Sequence, residues 1–302
     1  MASINAQTAI LPMHCKYGIF LEASLVSKDL NQFRKQLLVF NNKVEQMRSS
    51  FAGAGLGASI AFGFDAWKKL SSNVPKELRP FVPIGNAPAT QRDLFIHILS
   101  LEFDVAFALA QACLEEFHGH INIEEETHGF RRLEERDLTN FIDGTENPVG
   151  DKRVLFGLIP KGDPYEYGSY VLTQRYVHHL DKWTKVPIKE QEQVIGRTKE
   201  DSIEIPPEKR PITSHVGRTD LSEDGKDLKI LRQSLPYGKA SGEHGLYFLA
   251  YSTSLHNIDK QLKNMFGQID GKTDLLLDFV TPVSGSYYFA PSLLELKKIS
   301  NL

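Results

Sequence analysis

Cysteine is scarce in this chain, with only Cys15 and Cys113 among 302 residues. Two thiols so far apart cannot build a disulfide framework or a thiolate metal site, so we expect two buried thiols in a reducing compartment. The uncharged stretch at residues 51–64 is rich in glycine. It is much shorter than the roughly 20 apolar residues that cross a bilayer. These absences argue against a disulfide-stabilised secreted domain and against a membrane protein.

An excess of positive charge is missing as well. The formal net charge is −3, and lysine and arginine are scattered, so the basic surface typical of nucleic-acid-binding proteins is not expected. Residues 1–15 contain neither lysine nor arginine, and the sequence therefore shows no secretory or twin-arginine signal. We expect a cytoplasmic protein with no nucleic-acid partner and no membrane partner.

Apolar periodicity predicts an α+β fold of two similar halves, residues 1–135 and 136–302. In the first half, strands and helices follow the order β-α-β-β-α-β, over residues 17–26, 29–48, 57–64, 93–101, 103–117 and 121–126. That order is typical of a ferredoxin-like unit, an antiparallel sheet with helices packed on it. The second half repeats the pattern less regularly, over residues 169–178, 187–195, 228–235, 246–252, 254–266 and 278–289, the last of these being one strand or a pair of strands. A charged insertion at residues 196–226 interrupts it, and loops of this length are often functional.

The most informative segment, residues 140–148, reads Asn-Phe-Ile-Asp-Gly-Thr-Glu-Asn-Pro. A single carboxylate, Asp143, follows two apolar residues and precedes Gly144, where the backbone can turn sharply and a ligand can approach closely. From these residues alone, the segment is either a tight loop that presents a carboxylate or an Asx-turn with no further role.

Together with five other segments, this loop resembles the signature of the dye-decolourising peroxidases, a family of haem enzymes. The other segments are IGRTK at 195–199, SHVGR at 214–218, LRQSLPYG at 231–238, HGLYFLAY at 244–251 and YYFAPS at 287–292. The resemblance covers nearly the whole chain and implies a dimeric α+β barrel-like architecture. The family signature begins with glycine where this chain has Asn140, a residue that also tolerates left-handed backbone angles.

The resemblance implies that His215 is the proximal ligand of the haem iron. By itself, a loop histidine is usually a surface residue. A ligating histidine needs a neutral ring whose second nitrogen donates to an acceptor, and the family places an acid near the C-terminus for this purpose. Asp274 and Asp278 both qualify, because residues four apart share a helical face. We prefer Asp274, since Asp278 falls where the last predicted strand begins.

Arg232 interrupts an apolar strand pattern, and Ser234 projects from the same face of that strand. Taken alone, Arg232 fits a sheet-edge arginine in water equally well. The resemblance implies that both residues lie above the iron and that the charge of Arg232 stabilises the breaking O–O bond of peroxide. It also implies that Asp143 is the distal acid–base catalyst.

Further contacts with the porphyrin are implied around this centre. Arg197 would pair with a haem propionate, although a cation at a helix end is an equally good interpretation. Leu246 and Phe248 share a strand face and would form a dry wall, and core packing predicts the same pattern. Gly144 would let the loop approach the cofactor closely.

The resemblance therefore implies a peroxidase with one haem b per chain. It would use hydrogen peroxide to oxidise dyes, phenols or porphyrin-type reductants, and it would assemble as a homo-oligomer, a dimer or larger. Trp183, Tyr176 and Tyr251 are candidate surface aromatics that could relay electrons from bulky substrates.

Two other functions fit parts of the sequence. One is a haem-handling protein that delivers haem or releases its iron without peroxide turnover. The other is a haem-free interaction protein in which Asp143 and His215 are ordinary loop residues. Because haem handling requires His215 alone, the joint presence of Asp143 and Arg232 favours the peroxidase.

Overall fold

The first half of the chain forms the predicted ferredoxin-like unit. The structure, a computed structural model, describes residues 5–13 and 15–301. The elements of this half are β1 (Tyr17–Leu25), α1 (Leu30–Ser50), β2 (Gly57–Phe62), α2 (Phe64–Leu70), β3 (Leu94–Ser100), α3 (Phe103–Glu116) and β4 (Ile121–Phe130). The sheet order is β4-β1-β3-β2, with antiparallel neighbours throughout. Among the elements just named, α2 is the one that the sequence did not predict.

Helix α1 shows how the local sequence builds these elements. The carboxylate of Asp29 caps its first turn by accepting from the backbone N–H groups of Asn31 and Gln32, both at 3.0 Å. Such a cap satisfies donors that the helix itself leaves unpaired. A helical stripe that includes Phe33 and Leu37 is fully buried against the sheet. The helix therefore covers the face of the sheet that points away from the second half.

The second half repeats the arrangement with more interruptions. Its elements are α4 (Lys152–Gly157), β5 (Ser169–His178), α5 (Leu180–Trp183), α6 (Ile188–Ile195), α7 (His215–Thr219), β6 (Ser222–Glu223), β7 (Lys226–Asp227), β8 (Leu231–Arg232), β9 (Leu235–Gly238), β10 (His244–Ser252), α8 (Leu255–Met265), β11 (Val280–Pro282), β12 (Ser286–Ala290) and α9 (Leu293–Ser300). The main strands follow the order β12-β5-β10-β9. This order matches that of the first half, so the predicted α+β class is confirmed.

Two predictions for the second half need correction, and a third is met by one of its alternatives. The strand expected at residues 228–235 is split into β8 and β9. The strand or strand pair expected at residues 278–289 is the pair β11 and β12, preceded by a 3-10 turn at Leu275–Asp278. The insertion at residues 196–226 is not wholly a loop, because it contains α7 and the small hairpin of β6 and β7.

The two sheets join at both edges and close into a barrel. Strand β12 pairs with β2 at Phe289 and Phe62, and β9 pairs with β4 at Tyr237 and Gly129. Alternate residues point into the barrel, where aromatic side chains pack together, and the helices cover the outside. The predicted boundary at residue 135 stays a prediction.

Within residues 5–13 and 15–301, no helix combines the length and apolar character needed to cross a bilayer. The cytoplasmic location expected from the N-terminal sequence stays a prediction.

Candidate active site

A large cavity lies on the outer face of the second sheet, between β5, β8 and β10 on one side and α7 and α8 on the other. It encloses about 1500 Å³ including its open mouth. Its apolar lining consists of Phe141, Ile142, Leu172, Ile195, Val216, Ile230, Leu246, Phe248, Ile258, Leu262, Met265, Leu276, Leu277 and Val280. The predicted residues Asp143, Gly144, Arg197, His215, Arg232 and Ser234 line the same cavity. Residues far apart in sequence thus meet around one mainly apolar space, as in many cofactor sites.

His215 is the first residue of α7 rather than a loop residue. Ser214 caps this short helix by accepting from the N–H of Gly217 at 3.1 Å. The imidazole Nδ1 lies 2.6 Å from Oδ2 of Asp274, whose side chain is fully buried. A carboxylate accepts the hydrogen bond from Nδ1, and in a neutral imidazole this leaves Nε2 as the nitrogen with a lone pair for a ligand.

Asp274 is held in place by its own local structure. It precedes the 3-10 turn at Leu275–Asp278, and its Oδ1 accepts from the N–H of Leu276 at 2.9 Å. Asp278, the other sequence candidate, is exposed at the end of that turn. The structure therefore brings Asp274, and not Asp278, to His215.

The signature loop presents Asp143 to the cavity in a fixed geometry. Its backbone N–H donates to the carbonyl of Glu135 at 2.9 Å, and its Oδ1 accepts from the N–H of Gly144 at 2.7 Å. Gly144 has a φ of 83°, and nothing lies within 4 Å of the place where a Cβ would be, so a ligand has room here. Asn140 adopts a left-handed φ of 67°, as expected for the residue at the position of the family's glycine.

Arg232 lies beside this loop. Its Nη2 is 3.7 Å from Oδ1 of Asp143, and both side chains are partly exposed to the cavity. At that distance the two charges attract without a direct hydrogen bond. Ser234 follows on the same face, and its hydroxyl accepts from the N–H of Leu249 at 3.1 Å. The distal set predicted from the sequence therefore lies together on one wall.

Arg197 is already engaged by protein groups. Its guanidinium donates to Glu146 at 2.5 Å, to Glu204 at 3.0 Å and to the carbonyl of Ser202 at 2.7 Å. A propionate would have to share this arginine with two carboxylates. The predicted propionate contact stays a prediction.

Asn147 was not predicted from the sequence, and it ties the signature loop to β8. Its side-chain amide donates to the carbonyl of Arg232 at 2.8 Å and accepts from the N–H of Arg232 at 2.9 Å. This pair of bonds occupies the open edge of β8 in the manner of a neighbouring strand. The sequence feature that could have pointed to Asn147 is its position in the same segment, four residues after Asp143.

A second missed group lies on β5, where Gln174, Tyr176 and His178 face the cavity. The signal was visible, because polar residues at alternate positions of an apolar strand share one face. Burial lowers the pKa of His178, although nearby Asp137 opposes that effect. This polar group makes one end of the cavity suitable for hydrogen bonding.

The aromatic residues expected at the surface are buried. Trp183 is 2% exposed, Tyr176 7% and Tyr251 0%. Trp183 packs edge-on against Phe279 and donates its indole N–H to a backbone carbonyl, while Tyr251 points into the barrel. The prediction of surface relays at these positions is therefore wrong.

Two family models match the chain. The model described as "Dyp-type peroxidase, N-terminal" matches residues 7–131, and "Dyp-type peroxidase, C-terminal" matches residues 134–295. The Dye-decolorizing peroxidase of Mycolicibacterium paratuberculosis is 41% identical over 246 residues, which cover 78% of this chain and 70% of that protein.

Solved structures are also similar. A dye-decolorizing protein from V. cholerae superposes with a TM-score of 0.90 at 40% identity, covering 97% of this chain and 99% of the other. A variant of DypB from Rhodococcus jostii RHA1 in complex with heme gives a TM-score of 0.91 at 31% identity, covering 98% and 99%.

Proposed function

The chain belongs to the Dyp-type peroxidase family and is an oxidoreductase that acts on peroxide, and we propose that it does so with one haem b bound beside His215. One observation carries this proposal. A single cavity combines an imidazole anchored by Asp274 with a carboxylate and a guanidinium, Asp143 and Arg232, on another wall. Haem handling would require only the imidazole.

The residues present fit a haem group. His215 offers an imidazole nitrogen, Nε2, and histidine is the residue that ligates haem iron in many peroxidases. Leu246 and Phe248 belong to an apolar wall that suits a porphyrin and excludes water. When bound, haem would supply the two electrons that reduce peroxide and would later recover them from a reductant.

Asp143 is the proposed acid–base catalyst. Its carboxylate would remove the proton from one oxygen of hydrogen peroxide and return it to the other oxygen, which leaves as water. Because Oδ1 is held by Gly144 at 2.7 Å, the group is aimed rather than free to rotate. Positioned proton transfer of this kind contributes ~10²–10⁴-fold in rate.

Arg232 is proposed to stabilise the negative charge that develops on the departing oxygen. A guanidinium is a permanently positive group in proteins, and the backbone of Arg232 is fixed by Asn147. A preorganised charge of this kind stabilises a transition state without reorganising during the reaction. Ser234 would orient peroxide next to Arg232, with its hydroxyl fixed by Leu249.

The spectrum of the haem-loaded protein with and without peroxide tests the proposal. We expect a Soret band on loading and a rapid change of that band with peroxide, followed by recovery when a phenol or dye is added. In contrast, a haem-handling protein would bind haem and show no such change, and a haem-free protein would show no Soret band. His215→Ala should fail to retain haem, and normal retention would exclude His215 as the ligand.

Two predictions remain open beside this one. The physiological reductant is a dye, a phenol or a porphyrin-type compound, and steady-state rates with each class would identify the preferred one. The homo-oligomeric assembly stays a prediction that sedimentation velocity can test.

A further inference from the structure

A buried glutamate stands inside the barrel, on the side of the second sheet that faces away from the cavity. Glu22 of β1 is 1% exposed. Its Oε1 accepts from the hydroxyl of Tyr247 at 2.6 Å, and its Oε2 accepts from the hydroxyl of Tyr288 at 2.7 Å. Thr173 and Ser286 add longer contacts, both at 3.3 Å. The carboxyl group is therefore surrounded by hydroxyls rather than by cations.

Burying a carboxylate in this way is costly for the fold. Burial raises the pKa of Glu22, and the hydrogen bonds from Tyr247 and Tyr288 offset only part of that rise. Apolar residues of similar volume would fill the space without this penalty. A chemical role for Glu22 would explain why this unfavourable burial is retained, because a carboxylate with a raised pKa is a good proton acceptor.

Tyr247 connects this buried group to the active-site wall. Its neighbours along β10, Leu246 and Phe248, line the cavity, so strand alternation places the Tyr247 ring directly behind that wall. The ring stacks on Phe20 with centroids 4.1 Å apart. Burial raises the pKa of Tyr247 well above its ordinary value, so the phenol keeps its proton unless the ring is oxidised.

We propose that Tyr247 is a redox-active residue of this enzyme and that Glu22 is its proton acceptor. The inference rests on the proposed function, because the oxidant is the haem group after peroxide has oxidised it. In the proposed step the phenolic O–H bond of Tyr247 breaks. One electron goes to the oxidised haem, and the proton moves along the 2.6 Å hydrogen bond to Oε1 of Glu22.

The products of this step are a neutral tyrosyl radical and a neutral carboxylic acid. A reductant then returns one electron to Tyr247, and Glu22 returns the proton, so the phenol and the carboxylate are both restored. Tyr288 keeps its own proton and holds the second carboxyl oxygen in place. Tyr247 thus stores one oxidising equivalent away from the peroxide site.

Tyr251 provides a matched control in the same strand. It is fully buried and points into the same barrel, but its hydroxyl contacts Ser59 at 2.7 Å and His97 at 3.1 Å. Burial lowers the pKa of His97 to about 3, so this ring is a poor proton acceptor. Oxidation of Tyr251 would leave its proton without a destination.

The test is freeze-quench electron paramagnetic resonance of the haem-loaded chain after one equivalent of hydrogen peroxide. We expect a tyrosyl radical that Tyr247→Phe removes and Tyr251→Phe leaves intact. Glu22→Gln should slow its formation by at least ~100-fold, the lower end of what a positioned proton acceptor contributes. A radical unchanged in Tyr247→Phe or in Glu22→Gln overturns the inference.

The wild-type protein gives a second measurement that does not depend on variant folding. Because the proton and the electron leave together, radical formation should be slower in D₂O, and equal rates would contradict the coupling. A Soret change with no tyrosyl radical overturns this inference and leaves the proposed function intact. If peroxide causes no Soret change, both fail.

Discussion

Replacing Asp274 by asparagine tests whether its hydrogen bond to His215 sets the histidine tautomer that can bind a metal. The two oxygens of Asp274 have different partners, Nδ1 of His215 at 2.6 Å and the N–H of Leu276 at 2.9 Å. The N–H of Leu276 can only donate, so an asparagine would keep its carbonyl oxygen there and turn its NH₂ group toward His215. An NH₂ group also only donates, so Nδ1 would have to give up its proton and Nε2 would carry it. A protonated Nε2 cannot bind a metal.

The size of the effect on haem binding follows from the two orientations that the asparagine amide can adopt. Turning the amide over restores the histidine tautomer but removes the cap on the 3-10 turn, which costs about 0.5–2 kcal/mol. Keeping the cap leaves the wrong tautomer, and loss of such an orienting partner lowers metal affinity or activity ~10–100-fold. That range corresponds to about 1.4–2.8 kcal/mol. We therefore expect Asp274→Asn to bind haem ~10–100-fold more weakly.

Haem titration of the purified protein, followed by the Soret band, measures this affinity. The matched control is Asp278→Asn, which makes the same substitution at an exposed position of the same turn and should bind haem normally. If Asp274→Asn binds as tightly as the wild type, or if the control is equally weakened, the tautomer argument is wrong.

Three further predictions concern the distal wall and an ion pair outside it. Asp143→Ala and Arg232→Ala should retain haem and slow the reaction with peroxide, by ~10²–10⁴-fold for the acid–base residue; normal stopped-flow rates in both would refute the distal assignments. Asn147→Ala removes two hydrogen bonds to Arg232 and should lower the free energy of unfolding by ~1–3 kcal/mol in denaturant, whereas an unchanged midpoint would show that the loop is held elsewhere. Arg218 lowers the pKa of Asp270 to about 2, so the stability from this pair is present above the ordinary aspartate pKa of about 4 and is lost as pH falls through the folded value. The difference in Tm between wild type and Asp270→Asn should therefore vanish at the acid end, and a constant difference would contradict the linkage.

Local periodicity was sufficient to predict most of the fold, because strands and helices of the first half are specified by their own residues. It failed where distant segments decide the structure. The strand expected at residues 228–235 breaks at Gln233, whose side chain donates to the carbonyls of Ile10 and Pro12 at 2.9 and 2.8 Å. These partners are more than two hundred positions away in sequence. No residue pattern within the strand itself could therefore predict these hydrogen bonds.

The candidate site shows the same division between local and distant information. The resemblance predicted Asp143, Arg232 and His215 as site residues, since each belongs to a recognisable segment. It could not identify the carboxylates that engage Arg197, because Glu146 and Glu204 come from two different loops. Those contacts depend on how the loops pack, and only the structure contains that information.

The strand β10 explains why the pocket and the barrel interior are specified together. Its residues alternate between the two, with Leu246 and Phe248 on the cavity and Tyr247 in the barrel. A shift of one residue would exchange them, bringing Tyr247 to the cavity and removing the partner of Glu22. Close packing opposes such a shift, because a Cβ at position 245 would lie 1.8 Å from the carbonyl oxygen of Tyr176. Only Gly245 fits there, so one glycine in β10 helps to fix both the apolar wall and the buried tyrosine–glutamate pair.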